Sequence, residues 1–335
     1  MFTFSAAYSR RGRLTPIPPD RITERGYIFI SADYRLLPPI TGHEIIEDIK
    51  DLWEFVTSPE LSITFPDSKR STGRTLKIDS NAIAVGGSSA GGWCAFMTAI
   101  HCKNPAPKAI ISMYGLGGQI FTSYYLSPKK EPFVYSFGWL DKKDYEEFVY
   151  PYTKGIPPTI ARSPPAYAEN HPLGPFYPAN PRMQLVWLHL QYADWIDYLT
   201  GQHEPSLSAI LRDTCQLAEP AGTLYNDTIV ATKELQEVAK AKIDEKHRNS
   251  LFPQFNVSSD WPSVVLVHGV IDPGLPIIDS DHMYSLLKDA GVPAKIYRME
   301  GEEHAFDYSP DAEEKWGQEF DQAIAFIHRA TVKKN

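Results

Sequence analysis

Two periodicities alternate along the chain. Short runs read as strands: Gly26-Tyr-Ile-Phe-Ile-Ser-Ala-Asp33, Ala82-Ile-Ala-Val85, Lys108-Ala-Ile-Ile-Ser-Met-Tyr114, Ser263-Val-Val-Leu-Val267, whose β-branched apolar character is typical of a buried parallel strand, and Ala294-Lys-Ile-Tyr-Arg-Met299. Between them the period lengthens. Ile45, Ile46, Ile49, Leu52, Trp53 and Val56 fall on one side of a helix over 45–56. A second helix is predicted from about Asp281 to Ala290, stopped by Gly291 and Pro293, and a last one from about Ala312 to Ala330. Strands alternating with helices predict an α/β chain with a mostly parallel, doubly wound sheet.

Residues 116–260 interrupt the alternation. Phe121, Tyr124, Tyr125, Phe133, Tyr135, Phe137, Trp139, Tyr145, Phe148, Tyr150 and Tyr152 follow one another closely, with many prolines between. Helices are expected at Met183 to Leu199 and at about Thr228 to Arg248. The organisation expected is therefore a core in two parts, residues 1–115 and 261–335, with a helical cap over 116–260. Most cap aromatics are expected to form the cap's own core, and the remainder to line a pocket at the C-terminal edge of the sheet.

Between the second strand and the helix after it lies Gly86-Gly-Ser-Ser-Ala-Gly-Gly92. Only one frame fits G-x-S-x-G, and it puts Ser89 on a sharp strand-to-helix turn. Small neighbours suit such a turn, where strand and helix crowd together. The helix that follows aims its N-terminal N–H groups at the site, where negative charge would develop. A serine hydroxyl needs a base, and the base needs an orienting acid. Asp272 follows the Ser263–Val267 strand, and His304 follows the Ala294–Met299 strand. The order Ser89, Asp272, His304, each at a strand's C-terminal end, predicts a nucleophile, an acid and a base at one sheet edge. His268 is expected to be structural, its ring hydrogen-bonded inside the loop.

These segments, with Ser31-Ala-Asp-Tyr-Arg-Leu-Leu-Pro-Pro39, His268-Gly-Val-Ile-Asp272 and Gly301-Glu-Glu-His-Ala-Phe306, resemble the hormone-sensitive-lipase-like esterases of the alpha/beta-hydrolase superfamily, the fold-3 type, in a version common among fungal hydrolases. The resemblance covers most of 20–115 and 260–330. It implies an alpha/beta-hydrolase fold with a helical cap. It implies a serine esterase acting through an acyl-enzyme on small to medium hydrophobic esters, lactones included, with Ser89, Asp272 and His304 as triad and Ala90 N–H as one oxyanion donor.

One family feature has no counterpart. The His-Gly-Gly-Gly segment that completes the oxyanion hole is missing: Gly12 and Gly26 are the glycines of the first thirty residues, and neither follows a histidine. The strand carrying that segment is also expected to be absent. Either the chain begins late, or Met1 to Ser9 lines the hole differently. A ligand-binding relative with weak or no turnover is the alternative reading.

Composition narrows the partners. The chain has 335 residues, 43% hydrophobic, with a net charge of −8, which disfavours nucleic acid. No apolar run approaches the ~18 residues of a membrane span, and Met1–Arg10 lacks a signal-peptide pattern, so a cytoplasmic location is expected. Cys94, Cys102 and Cys215 have no metal-ligand spacing and suggest no disulfide framework. The only expected partner is a small-molecule ester, with no metal or cofactor. Asn226-Asp-Thr and Asn256-Val-Ser match glycosylation sequons and are taken as chance.

Overall fold

A computed structural model describes residues 2–5, 19–65, 74–132, 138–161, 180–217 and 229–332. Six strands form one parallel sheet in the order β2-β1-β5-β6-β7-β8. They are β1 (Phe2–Ser5), β2 (Ile30–Ala32), β5 (Ala84–Ser88), β6 (Ala109–Met113), β7 (Ser263–Gly269) and β8 (Ala294–Met299). β3 (Ser62–Phe65) and β4 (Arg74–Lys77) make a separate antiparallel pair, with Ile63 opposite Leu76.

The inner strands are apolar throughout because helices cover both faces. β5 and β6 are buried at every position, and β7 at all but its first. One layer holds α2 (Gly42–Thr57), α3 (Ala90–His101) and α10 (Ile278–Asp289), and the opposite layer holds α1 (Pro19–Thr23) and α11 (Ala312–Thr331). Ile49 and Val56 pack beneath α2 with Ile83 and Phe96, while Ile324 and Ile327 of α11 pack with Ile111 and Val265. α2 starts at a capping box: His43 N–H donates to Thr41 Oγ1 at 3.2 Å, and Glu44 accepts Thr41 N–H at 2.8 Å. Arg35, just past β2, clamps onto α2 through Asp48, with Nε and backbone N–H each 2.8 Å from the carboxylate.

Between β6 and β7 lie α4 (Ser123–Leu126), α5 (Leu185–Tyr192), α6 (Trp195–Thr200), α7 (Leu207–Cys215), α8 (Lys233–Lys240) and α9 (Glu245–Leu251). Two expected helices are broken. The one over Met183 to Leu199 divides at Ala193, which adopts a left-handed backbone with φ 51°, its N–H turned back to the α5 carbonyls. The one over Thr228 to Arg248 divides at 241–244, a turn that buries Ile243. Periodicity alone did not show either break, because apolar residues continue on both sides of each.

The expectation that a core strand is missing is overturned. β1 lies between β2 and β5 and pairs with both, Phe2 beside Ile30 and Val85, Phe4 beside Ala32 and Gly87. Four residues too short to display a period were not legible as a strand; parallel pairing on both sides makes them one. The segment that follows starts at residue 6, outside the described residues.

No helix among the described residues is long and apolar enough to cross a membrane.

Candidate active site

β5 delivers Ser89 to the sheet's C-terminal edge. Ser89 has φ 55° and ψ −122°, a strained conformation for a residue with a side chain. Its backbone is held by three bonds: its N–H donates to Met113 O (3.0 Å), and its carbonyl accepts from Gly92 (3.0 Å) and Leu116 (3.1 Å). The turn needs glycine at 87, because a Cβ there would lie 1.9 Å from Gly91 O. Although Ser89 stands at the N-cap of α3, its side chain makes no capping bond. The hydroxyl instead meets His304, with Oγ 3.1 Å from Nε2.

His304 reaches there from the loop after β8. Its Nδ1 lies 2.7 Å from Asp272 Oδ2. Asp272, after β7, is buried and surrounded by donors. Its Oδ1 accepts Gly274 N–H (2.7 Å) and Leu275 N–H (2.9 Å), and its Oδ2 also lies 3.2 Å from His268 Nε2. Burial opposes the charge, but His304 and His268 outweigh it and hold the carboxyl at about 2. His268 is fully buried, with Nδ1 2.7 Å from Ser280 Oγ and Nε2 2.9 Å from Leu275 O. Its ring ties β7 to the Asp272 loop. The structure thus brings Ser89, His304 and Asp272 into one hydrogen-bonded chain, although 215 residues separate the first two.

Ala90, the first residue of α3, has an N–H with no acceptor inside the helix. Ser89 N–H is spent on Met113, so of these two neighbouring amides only that of Ala90 remains for a ligand oxygen. β1 ends beside this turn, with Ser5 in register with Ser88.

Ser89, Ala90 and His304 open into a cavity of about 590 Å³, mostly apolar, roofed by α5 and α6 through Trp187, His189 and Trp195. Of the expected cap aromatics, Tyr125 is on its wall; Phe121, Tyr124, Tyr145 and Phe148 are buried, and Trp139 and Tyr150 are exposed. Phe133, Tyr135 and Phe137 lie outside the described residues.

Two residues that the sequence did not mark support His304. Tyr114, just after β6, places its ring 4.6 Å from the imidazole and donates its hydroxyl to Asp307 at 2.6 Å. A tyrosine ending an apolar strand gives no signal of that role. The three cysteines are buried and free, and no group of three or more His, Cys, Asp or Glu among the described residues could hold a metal.

With this geometry in view, comparison with known proteins places the chain. The alpha/beta hydrolase fold family model matches residues 21–171. The chain has the alpha/beta hydrolase fold. A non-reducing polyketide synthase of Aspergillus calidoustus, ausA, is 24% identical over 311 residues, covering 90% of this chain and 11% of that protein. A probable carboxylesterase of Cochliobolus lunatus, clz11, is 32% identical over 87 residues, covering 26% of this chain and 38% of that one. The chain therefore spans well under half the length of either relative. Among solved structures, a Staphylococcus aureus protein of unknown function superposes with a TM-score of 0.50 at 14% identity, covering 99% of this chain and 89% of that chain, a likeness of fold.

Proposed function

We propose that this alpha/beta hydrolase cleaves carboxylic esters through an acyl-enzyme on Ser89. The observation that carries the proposal is the hydrogen-bonded chain from Ser89 Oγ through His304 to a buried, ionised Asp272, at the floor of an apolar cavity.

Each step follows from that arrangement. An ester enters with its apolar part under α5 and α6 and its carbonyl carbon near Ser89 Oγ. His304 Nε2 takes the hydroxyl proton as Oγ forms its bond to carbon. The carbonyl π electrons move to oxygen, which Ala90 N–H stabilises, aided by the N-terminus of α3. Asp272 accepts the Nδ1–H, fixes the tautomer that leaves Nε2 free, and stabilises the imidazolium. The imidazolium then protonates the departing alcohol. Water repeats the sequence on the acyl-enzyme, releasing the acid and restoring Ser89. The cavity volume suits a small to medium hydrophobic ester.

The similarity to a probable carboxylesterase supports this reading. A second reading, a polyketide acyl group as substrate, is favoured by the match to a polyketide synthase over 90% of this chain. The chemistry on Ser89 is the same in both.

The test is labelling of purified protein with a fluorophosphonate probe, followed by turnover of p-nitrophenyl butyrate. Stoichiometric labelling at Ser89 and catalytic release of p-nitrophenol are expected. Absence of both would leave a binding protein that keeps the pocket without the reaction. Thioesters turned over faster than the p-nitrophenyl esters of the same acids would favour the second reading.

A further inference from the structure

Among the described residues that line the cavity, Arg182 is the one side chain with a fixed charge. It belongs to the 3-10 turn Pro181–Gln184 that leads into α5. Val186, one turn further on, also lines the cavity and is 48% exposed. The other lining residues are buried or half-buried, so the cavity meets water beside Val186. Four residues apart, Arg182 and Val186 stand on adjacent turns of one face, which puts the arginine at this mouth.

The guanidinium bridges the roof and the facing wall. Its Nη1 donates to Pro38 O at 2.9 Å, next to Leu36 and Leu37 of the wall. Its Nη2 donates to Pro158 O at 3.3 Å, in a bond that is exposed to water. The ring of Phe148 supports it, with the guanidinium carbon 4.7 Å from the ring centroid. These contacts hold the fork in place, yet none of them carries a negative charge. Glu147 acts on it only from a distance, and no carboxylate among the described residues pairs with it. Burial outweighs the pull of Glu147 and Tyr152 and lowers the arginine's pKa from its ordinary value.

A half-buried cation is costly until an opposite charge meets it. The two carbonyls engage only part of the fork, and its other N–H donors have no acceptor among the described residues. A carboxylate answers both needs, being planar, singly charged and matched in spacing to a guanidinium. A phosphate dianion calls for a second cation, and no other described lysine or arginine lines the cavity. A neutral amide or hydroxyl would leave the charge uncompensated. At the mouth a carboxylate also keeps part of its hydration, so it escapes the full cost of burial.

We infer that Arg182 forms a subsite for a carboxylate at the far end of the substrate, so that the preferred substrates are esters bearing a free carboxylate. This rests on the ester reading above. The reacting carbonyl lies at Ser89, the apolar chain fills the cavity beneath Leu185, and the carboxylate stays at the rim. Arg182 takes no part in the chemistry on Ser89; it selects what is presented to it.

Binding to Ser89→Ala, measured by calorimetry, tests the subsite whether or not the native chain turns substrate over. Monomethyl esters of dicarboxylic acids put the charge on the acyl side, and ω-acetoxyalkanoates put it on the alcohol side. Each series runs from four to ten carbons, and each acid is compared with its primary amide, which is planar, of similar size and neutral. In one series the carboxylate should bind about tenfold tighter than the amide at the length that reaches the mouth, and the ratio should fall as salt is raised. Adding Arg182→Gln keeps an N–H donor for the neighbouring carbonyl and removes the charge, and should bring the ratio to one or below. Because the comparison is a ratio within one protein, a smaller folded fraction does not alter it. A ratio under about threefold at every length in both series, the scale of an ordinary exposed ion pair, overturns the inference. So does a larger ratio that Arg182→Gln leaves unaltered. Failure of the native chain to hydrolyse any ester, with the binding ratio intact, would overturn the ester reading and leave the subsite standing.

Discussion

Tyr114 braces His304 from beneath. The two rings lie 4.6 Å apart at a 59° tilt, and the tyrosine hydroxyl is anchored 2.6 Å from Asp307, three residues beyond the histidine. Tyr114 is itself held in a left-handed backbone conformation with φ 38°, its N–H donated to Val267 O of β7 at 2.7 Å. Strands β6 and β7 and the histidine loop thus meet in one contact. Removing the hydroxyl with Tyr114→Phe should lower kcat several-fold with little change in KM, because the ring remains but loses its anchor. Steady-state kinetics with p-nitrophenyl butyrate check this; an unchanged kcat would reduce the contact to simple packing.

Ser89→Ala should abolish fluorophosphonate labelling and lower kcat by ~10⁴–10⁶. The fold should survive, because the Ser89 side chain caps nothing and the turn is held by its backbone bonds. Label found on Ser88 instead would move the nucleophile.

Asp272→Asn should cost about 10⁴ in kcat, since an amide can present its N–H₂ to His304 Nδ1 and select the wrong tautomer. In the native protein Asp272, held at about 2, stays ionised throughout pH 4–9. Its contribution to stability is therefore full above the unfolded carboxylate value near 3.9 and is lost as pH falls through about 2. Acid unfolding of Asp272→Asn, followed by circular dichroism from pH 5 to pH 1.5, should lack that component.

Asp307 should act in the opposite sense. Burial raises its carboxyl to about 7, which Tyr114 only partly offsets. Between about pH 3.9 and 7 the folded protein keeps a proton that the unfolded chain has released. Each unit of rising pH in that window then removes up to about 1.4 kcal/mol of stability. Asp307→Asn cannot ionise, so its Tm should improve relative to the native protein as pH climbs from 4 to 7. Parallel Tm curves for the two proteins across this range would contradict the raised value.

Deleting residues 1–18 removes β1 and leaves β2 and β5 without their shared neighbour. Lower Tm and poorer solubility are expected, from the exposed strand edges and lost pairing. Thermal melts and light scattering on the truncated protein test this, and an unaltered melt would make β1 dispensable.

Local pattern was enough to read much of this protein. The buried runs at 109–113 and 263–269 lie inside the sheet with helices on both faces, so their apolar character was continuous. The small residues around Ser89 were legible because the turn brings Gly87 and Gly91 too close for any side chain. The ends of strands could be counted from the chain, and Ser89, Asp272 and His304 each stand at one.

Tertiary structure decided what depends on distant partners. β1 is four residues long and becomes a strand through its two neighbours. The helix expected over Met183 to Leu199 breaks at Ala193, where Asp194 sits between His189 and Lys142, a charge contact spanning 52 residues. The roles of Tyr114 and Asp307 likewise arise from the surfaces they meet, because a hydrogen bond closed between distant residues is a property of the packed chain and leaves no periodic trace in its sequence.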